Sequence, residues 1–218
     1  MDTGMPTSLV DLQERVKNMG INVRVLERLE IEPYLDQIAA ARIRFFKEFP
    51  YLYQGTMQYE IEYLKMYRDI ENARIIIGEK NGHIVGFSTG VPLGSDYEFL
   101  KELSSLVDTP EDYYYLGEAI IDPEYRGLGT AFIGTRTLEQ IAFSLGYPKI
   151  CFIGIEREKN HPLRPSNYRD ITPLMTRLGY QKTDRIFEPV YPTIQSNRSV
   201  VDMPNKMAFW VSKSIYSF

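Results

Sequence analysis

One cysteine and two histidines in 218 residues leave little material for disulfide or metal chemistry. A single thiol, Cys151, excludes an intramolecular disulfide framework, and its place in the apolar run ICFIGI reads as a small buried hydrophobe rather than a nucleophile. His83 adjoins an Asn-Gly turn, a surface position, and lies far along the chain from His161, so no metal site is expected. Long apolar runs are missing too: nothing approaches about 18 uninterrupted apolar residues, and MDTGMPTSLVDLQERV has no cationic segment leading into an apolar one. The expectation is a soluble, cytoplasmic chain with no membrane partner. Nor is there an excess of cations. The 25 Lys and Arg against 29 Asp and Glu give a net charge of -4, without the basic surface that nucleic-acid backbones require, though a local basic patch fits these totals. Internal repeats, low-complexity tracts and charge blocks are absent.

What is present is the composition of a folded protein: 44% hydrophobic, 25% charged, with 16 Tyr and 11 Phe. The length suits one substantial core, read as a single domain over 22–218 with an N-terminal helical appendage over 1–21. Ser8 can cap a helix over 9–19 that places Leu9, Leu12, Val16 and Met19 on one side and stops at Gly20. This helix can bury that side against the core or against a second subunit, so a homodimer is one reading. INVRVLERL reads as a strand. Residues 32–48 set Leu35, Ile38, Ala39, Arg42, Phe45 and Phe46 at helical spacing before Pro50, and a second helix fits 57–70.

Two apolar runs, ARIIIGEK and HIVGFSTGV, flank Asn81-Gly82, a strong hairpin signal. A helical segment near 96–106 leads into the strand YYYLGEAII, in which simple alternation groups Tyr113 with Tyr115 and Tyr114 with Leu116 and Glu118. A helix from Ala131 closes at Gly146, followed by the buried strand KICFIGIE, a polar loop, and a short helix to Gly179 for which Thr172 supplies the N-cap and Pro173 the first turn. The tail offers a strand near 186–191, a loose polar connection and a last strand in KMAFWVSKSI. The order predicts an α/β chain with a mixed sheet between helices.

The stretch DPEYRGLGTAF, residues 122–132, carries the chemistry. A helix N-terminus presents unpaired N–H groups that bind phosphate where no side chain intrudes, and Gly127 and Gly129 remove such side chains while Arg126 adds a donor fork. A plain turn whose glycines serve backbone torsions is the alternative. A Walker P-loop fails, because Thr130 and Ala131, not Lys and Ser/Thr, follow Gly129. A dinucleotide fingerprint fails where Phe132 replaces its third glycine, although Glu156 superficially matches a ribose-binding acid.

RGLGTA, Arg126 to Ala131, matches R-x-x-G-x-[G/A] and, with IIDPEY before it and the order of elements around it, resembles the acyl-CoA pyrophosphate motif of the GNAT superfamily of N-acetyltransferases over roughly 22–214. FPYLY and NHPLRPSNYRDITPLMTRLGY resemble a bacterial subgroup of that superfamily. The resemblance implies a mixed, mostly antiparallel twisted sheet of about seven strands sandwiched by helices. It also implies direct acetyl transfer from acetyl-CoA to a primary amine of a small molecule or peptide, with no metal and no covalent enzyme intermediate. It assigns the cofactor to Arg126, Gly127, Leu128, Gly129, Thr130 and Ala131, with a backbone N–H near Ile120 or Ile121 facing the thioester carbonyl.

A lysine-like amine is about 3.4 pKa units above neutrality, so freeing its lone pair costs roughly 4.6 kcal/mol, which a general base relieves in part. Glu118, eight residues before Arg126, stands where many members carry that base; a solvated or salt-bridged glutamate is the alternative. The tyrosine that many members place four residues before the late glycine to protonate the thiolate is Met175 here, and Tyr168 takes the place of a common asparagine. Water or Tyr168 is left to supply the proton. The missing tyrosine keeps open a non-catalytic acyl-CoA-binding or sensing module. His161, Arg164 and Arg169 follow the buried strand, and Tyr51 and Tyr53 lie between the first core helices, both places where the resembling fold admits its acceptor; the three basic residues could bind an anionic part of the acceptor or a CoA phosphate, with a solvated loop as the alternative.

Overall fold

The computed structural model describes residues 9–126 and 130–212. An N-terminal helix, α1 (Leu9–Asn18), turns at Gly20, whose φ of +72° suits a residue without a side chain, into strand β1 (Asn22–Leu26). Helices α2 (Leu35–Phe46) and α3 (Met57–Asp69) come before the hairpin β2 (Arg74–Lys80) and β3 (His83–Pro92). Asn81 and Gly82 both take positive φ there, as a two-residue hairpin turn requires. Then come α4 (Glu98–Ser104), β4 (Tyr113–Ile121), α5 (Thr130–Ser144), β5 (Lys149–Ile155) and α6 (Thr172–Arg177). Four strands end the described chain: β6 (Tyr180–Phe187), β7 (Val190–Ile194), β8 (Val200–Pro204) and β9 (Met207–Ser212).

Seven strands form one sheet in the order β1-β2-β3-β4-β5-β9-β6, antiparallel except for the parallel pair β4 and β5. Strand alternation divides the core between two faces. Ile75, Ile77, Tyr115, Cys151 and Phe209 join α2, α3 and α4 on one side, while Ile76, Tyr114, Phe152 and Trp210 join α5 on the other. Because both faces are covered, the central strands read as near-continuous apolar runs. Val16 of α1, 1% exposed, packs with Ile21 and with Ile133 of α5, with the partly buried Met19 beside them. Among the described residues no helix is long and apolar enough to cross a membrane.

Four sequence expectations shift. The helix expected over 32–48 begins at Leu35; the residues before it, Arg28–Tyr34, form a 3-10 run containing Pro33, which has no N–H to donate. Thr172 is the first residue of α6 rather than its cap, and Asp170 Oδ1 accepts its N–H at 2.7 Å. The strand near 186–191 is two strands: β6 starts directly after Gly179, and the polar connection holds the separate β7–β8 hairpin. Lastly, Glu118 shares its face with Tyr115 and Ile120, not with Tyr114. A bulge opposite Thr89, where pairing jumps from Ser88↔Ala119 to Gly90↔Leu116, inserts one residue and reverses the alternation after Gly117. The expected cap, Ser8, lies outside the described residues.

Candidate active site

β4 and β5 run parallel but pair over only three positions, Tyr113 to Tyr115 against Lys149 to Cys151. Beyond them the strands separate, and the β5-facing backbone of β4 borders a cavity of about 400 Å³. Phe46, Tyr51, Glu118, Ile121, Arg126 and Met175 contribute to its walls. The backbone at its end has a defined direction. Asp122 N–H donates to Val85 O at 2.9 Å, so alternation turns the N–H of Ile121 away from β3 and toward the opening. The carbonyl of Ile121 points the same way and accepts from Arg126 Nε at 3.0 Å. Ile120 is opposite Phe87 on β3 and its side chain is buried in the core.

That hydrogen bond and the Phe45 ring, 5.5 Å from the guanidinium carbon, hold the exposed Arg126 at the mouth. Glu48 Oε2 is 3.8 Å away, a loose pairing that leaves donors free. Helix α5 begins beside it at Thr130, whose hydroxyl donates to Tyr125 O at 3.1 Å, and Ala131 lines the cavity. Gly127, Leu128 and Gly129 lie outside the described residues.

Glu118 sits in the cavity wall and is nearly buried, with a side chain 7% exposed. Its Oε1 accepts from Arg42 Nη1 and, at 3.3 Å, from the Tyr63 hydroxyl; its Oε2 accepts from Thr89 Oγ1 at 2.9 Å. Arg42 also donates from Nε to Glu60 Oε2 at 2.5 Å, so one buried guanidinium serves two buried carboxylates. Tyr63, stacked 4.2 Å from that guanidinium, and Tyr67, bonded to Thr89 at 3.0 Å, close the cluster, and burial raises both phenols above their ordinary pKa. Gly117 makes room for it, since a Cβ there would overlap the Tyr67 hydroxyl and meet Thr89 Oγ1 at 2.6 Å.

Sequence reasoning missed Arg42, Glu60 and their hydroxyl partners as site residues. The signal was a charge on an apolar stripe: Arg42 recurs with Leu35, Ile38 and Ala39, and Glu60 with Leu64 and Tyr67. Tyr53 belongs behind this cluster, its hydroxyl pushed up by burial and then by Glu60, and it lines neither this cavity nor its neighbour.

The neighbouring cavity, of about 570 Å³, shares Phe49, Pro50, Tyr51 and Ile171 with the first. Tyr51 is buried enough that its hydroxyl is pushed up to about 12. Arg164 and Tyr168 line the second cavity, and the Tyr168 ring meets Phe49 edge-on at 4.7 Å between centroids. His161 lies against Phe49 at 5.5 Å outside the lining, its pKa lowered by partial burial and then by Arg157. Arg169 is exposed and lines neither cavity. Among the described residues no group of three His, Cys, Asp or Glu could hold a metal ion.

Solved structures share this architecture. A Salmonella typhimurium protein described as an acetyltransferase, solved with its cofactor acetyl-CoA, is 9% identical over 91% of this chain and 96% of its own, with a TM-score of 0.57. A ribosomal-protein-alanine N-acetyltransferase from Brucella melitensis is 13% identical over 89% and 99%, with a TM-score of 0.55. An N-acetyltransferase from Staphylococcus aureus Mu50 is 14% identical over 88% and 96%, with a TM-score of 0.52. Identities this low speak to the fold alone. No curated protein matches the chain in sequence. The family model for acetyltransferases of the GNAT family does match, over residues 38–165, more than half the chain. The chain therefore belongs to the GNAT family of acetyltransferases and is an acyltransferase.

Proposed function

We propose that the chain moves an acetyl group from acetyl-CoA to a primary amine of a small molecule or peptide, by direct attack with both substrates bound. The observation that carries this reading is the separation of β4 from β5, which exposes strand backbone in one cavity with Arg126 at its mouth and Glu118 in its wall. The residues present fit acetyl-CoA: an extended opening for the pantetheine arm, and a guanidinium with free donors beside the start of α5 for the diphosphate. Bound there, acetyl-CoA would supply the activated thioester.

The chain's residues would then divide the work. Arg126, Gly127, Leu128, Gly129, Thr130 and Ala131 hold phosphate through a side-chain fork and backbone N–H groups. The N–H of Ile121, turned into the opening, aims at the oxygen where negative charge gathers; Ile120 serves by packing. Glu118 receives the proton of the amine, directly or through a water. Hydrogen bonds from Arg42, Tyr63 and Thr89 hold its carboxylate in place in the cavity wall. Tyr168, whose pKa is raised by burial and then by Asp170, holds its proton at neutral pH and is the candidate donor to the thiolate where Met175 cannot serve.

Glu118→Gln tests the reading. CoA release from acetyl-CoA across an amine panel should fall by roughly 10² to 10⁴ while calorimetry shows unchanged acetyl-CoA affinity. Full turnover in the variant would remove Glu118 from the chemistry, and failure of the wild type to release CoA with any amine would remove acetyl transfer itself.

A further inference from the structure

The cavity beside the thioester opening holds a guanidinium whose hydrogen-bond donors no described residue of its walls takes. Lys182 and Lys206 both pair with Glu156, the latter at 3.4 Å. Arg157 is spent on structure: Nε donates to Pro50 O at 2.8 Å, and Nη2 to Tyr51 O at 3.0 Å and Asn205 Oδ1 at 2.5 Å. Asp170 accepts the Thr172 N–H at the start of α6 and is near enough to Arg164 for their charges to interact, without a hydrogen bond between them. Glu158 is exposed, where solvent screens it.

Arg164 differs from all of these. Its guanidinium carbon stands 4.6 Å from the Tyr168 ring centroid and 5.8 Å from that of Phe49, and among the described residues the guanidinium has no hydrogen bond and no salt bridge. Two aromatic rings therefore flank a half-buried cation, and its N–H donors have no hydrogen-bond partner among the described residues. A planar fork with free donors matches a carboxylate at two points.

Resting on the acetyl-transfer reading, we propose that the acceptor amine also carries a carboxylate, as an amino acid or a short peptide does, and that Arg164 receives it. Arg164 is the guanidinium of this cavity whose donors no described residue takes, and its fork meets both oxygens of one carboxylate, whereas the lysine donors are held at Glu156 and those of Arg157 at backbone and amide oxygens. The volume of about 570 Å³ accommodates an amino acid or a short peptide. The shared wall at Phe49, Pro50, Tyr51 and Ile171 puts such a ligand next to the thioester opening.

The test is calorimetry on the CoA-saturated protein with the twenty N-acetyl amino acids, each as free acid and as primary amide, alongside N-acetyl phosphoethanolamine. At least one acid should bind roughly ten- to a hundred-fold more tightly than its amide, as expected for charge-assisted hydrogen bonds. Arg164→Gln should erase that margin while acetyl-CoA affinity and melting temperature stay as in wild type. Amides binding as well as acids, no acid binding, the phosphate outbinding every acid, or a margin that survives in the variant would each overturn the proposal. Turnover with the free amino acids and their amides separates it from the reading beneath. Equal acetylation of acids and amides defeats the carboxylate requirement alone. A binding margin with no acetylation leaves the carboxylate site standing and defeats acetyl transfer.

Discussion

Replacing Arg42 with methionine removes the charge on which the buried part of the site turns. The guanidinium is 8% exposed and lies between Glu60 at 0% and Glu118 at 7%, so Glu60 has no solvent to replace it and Glu118 has only what enters the cavity. Taking away one partner of a buried ion pair costs about 3–5 kcal/mol, since the remaining charge stays desolvated. Lost stacking on Tyr63, 4.2 Å away, and Phe46, 5.0 Å away, adds to this, and the packing of the methionine offsets part of it. With a urea slope of about 2–3 kcal/mol per molar, the unfolding midpoint should fall by about 1–2 M at pH 7.

The loss should also depend on pH, with a sign fixed by linkage. In the variant burial without a counter-charge penalises the ionised form of the two stranded carboxylates, so taking up a proton relieves the folded state. A group with a raised folded-state pKa contributes stability below its unfolded value and loses it as pH rises through the folded value. The deficit of Arg42→Met should therefore be smallest near pH 4–5 and grow toward pH 8, and adding Glu60→Gln should recover part of it. A deficit under about 1 kcal/mol at pH 7, or one that is flat with pH, would refute this account of the cluster.

Gly134→Ala in α5 drives a Cβ into the Ser88 hydroxyl and to within 3.0 Å of Ser88 Cβ, so thermal unfolding should report a loss of about 1–3 kcal/mol; an unchanged melt would mean the helix can lift from the sheet freely. Cys151, buried with its pKa raised by desolvation, should ignore a thiol reagent in the native protein and react as one thiol in denaturant. Fast native labelling would contradict its place in the core. His161 should titrate below 6.5 by NMR, burial and then Arg157 disfavouring its charged form, so any stability it lends is present above its unfolded pKa and lost as pH falls through the folded one. A value at or above 6.5 would contradict its packing against Phe49.

Signals within one element were legible in the sequence. The Asn81-Gly82 hairpin, the apolar run around Cys151 and the helix facing Val16 inward follow from periodicity and turn chemistry. What escaped depended on contacts between elements. The bulge that turns Glu118 toward Arg42 leaves no mark in the alternation of YYYLGEAII, because Gly117 is compatible with either phase. The β7–β8 hairpin escaped for a related reason: Pro192 and the exposed Val200 and Val201 give it no alternating apolar face. Tyr53 and Tyr51 look equivalent in sequence, yet the fold sends one toward Glu60 and the other into the shared wall of two cavities.

A crystal structure with acetyl-CoA bound tests the central claim most directly. The account predicts cofactor density along the edge of β4 that β5 leaves unpaired, with the diphosphate against Arg126 and the start of α5 and the thioester oxygen near the N–H of Ile121. Density for the cofactor anywhere else on the protein would contradict it.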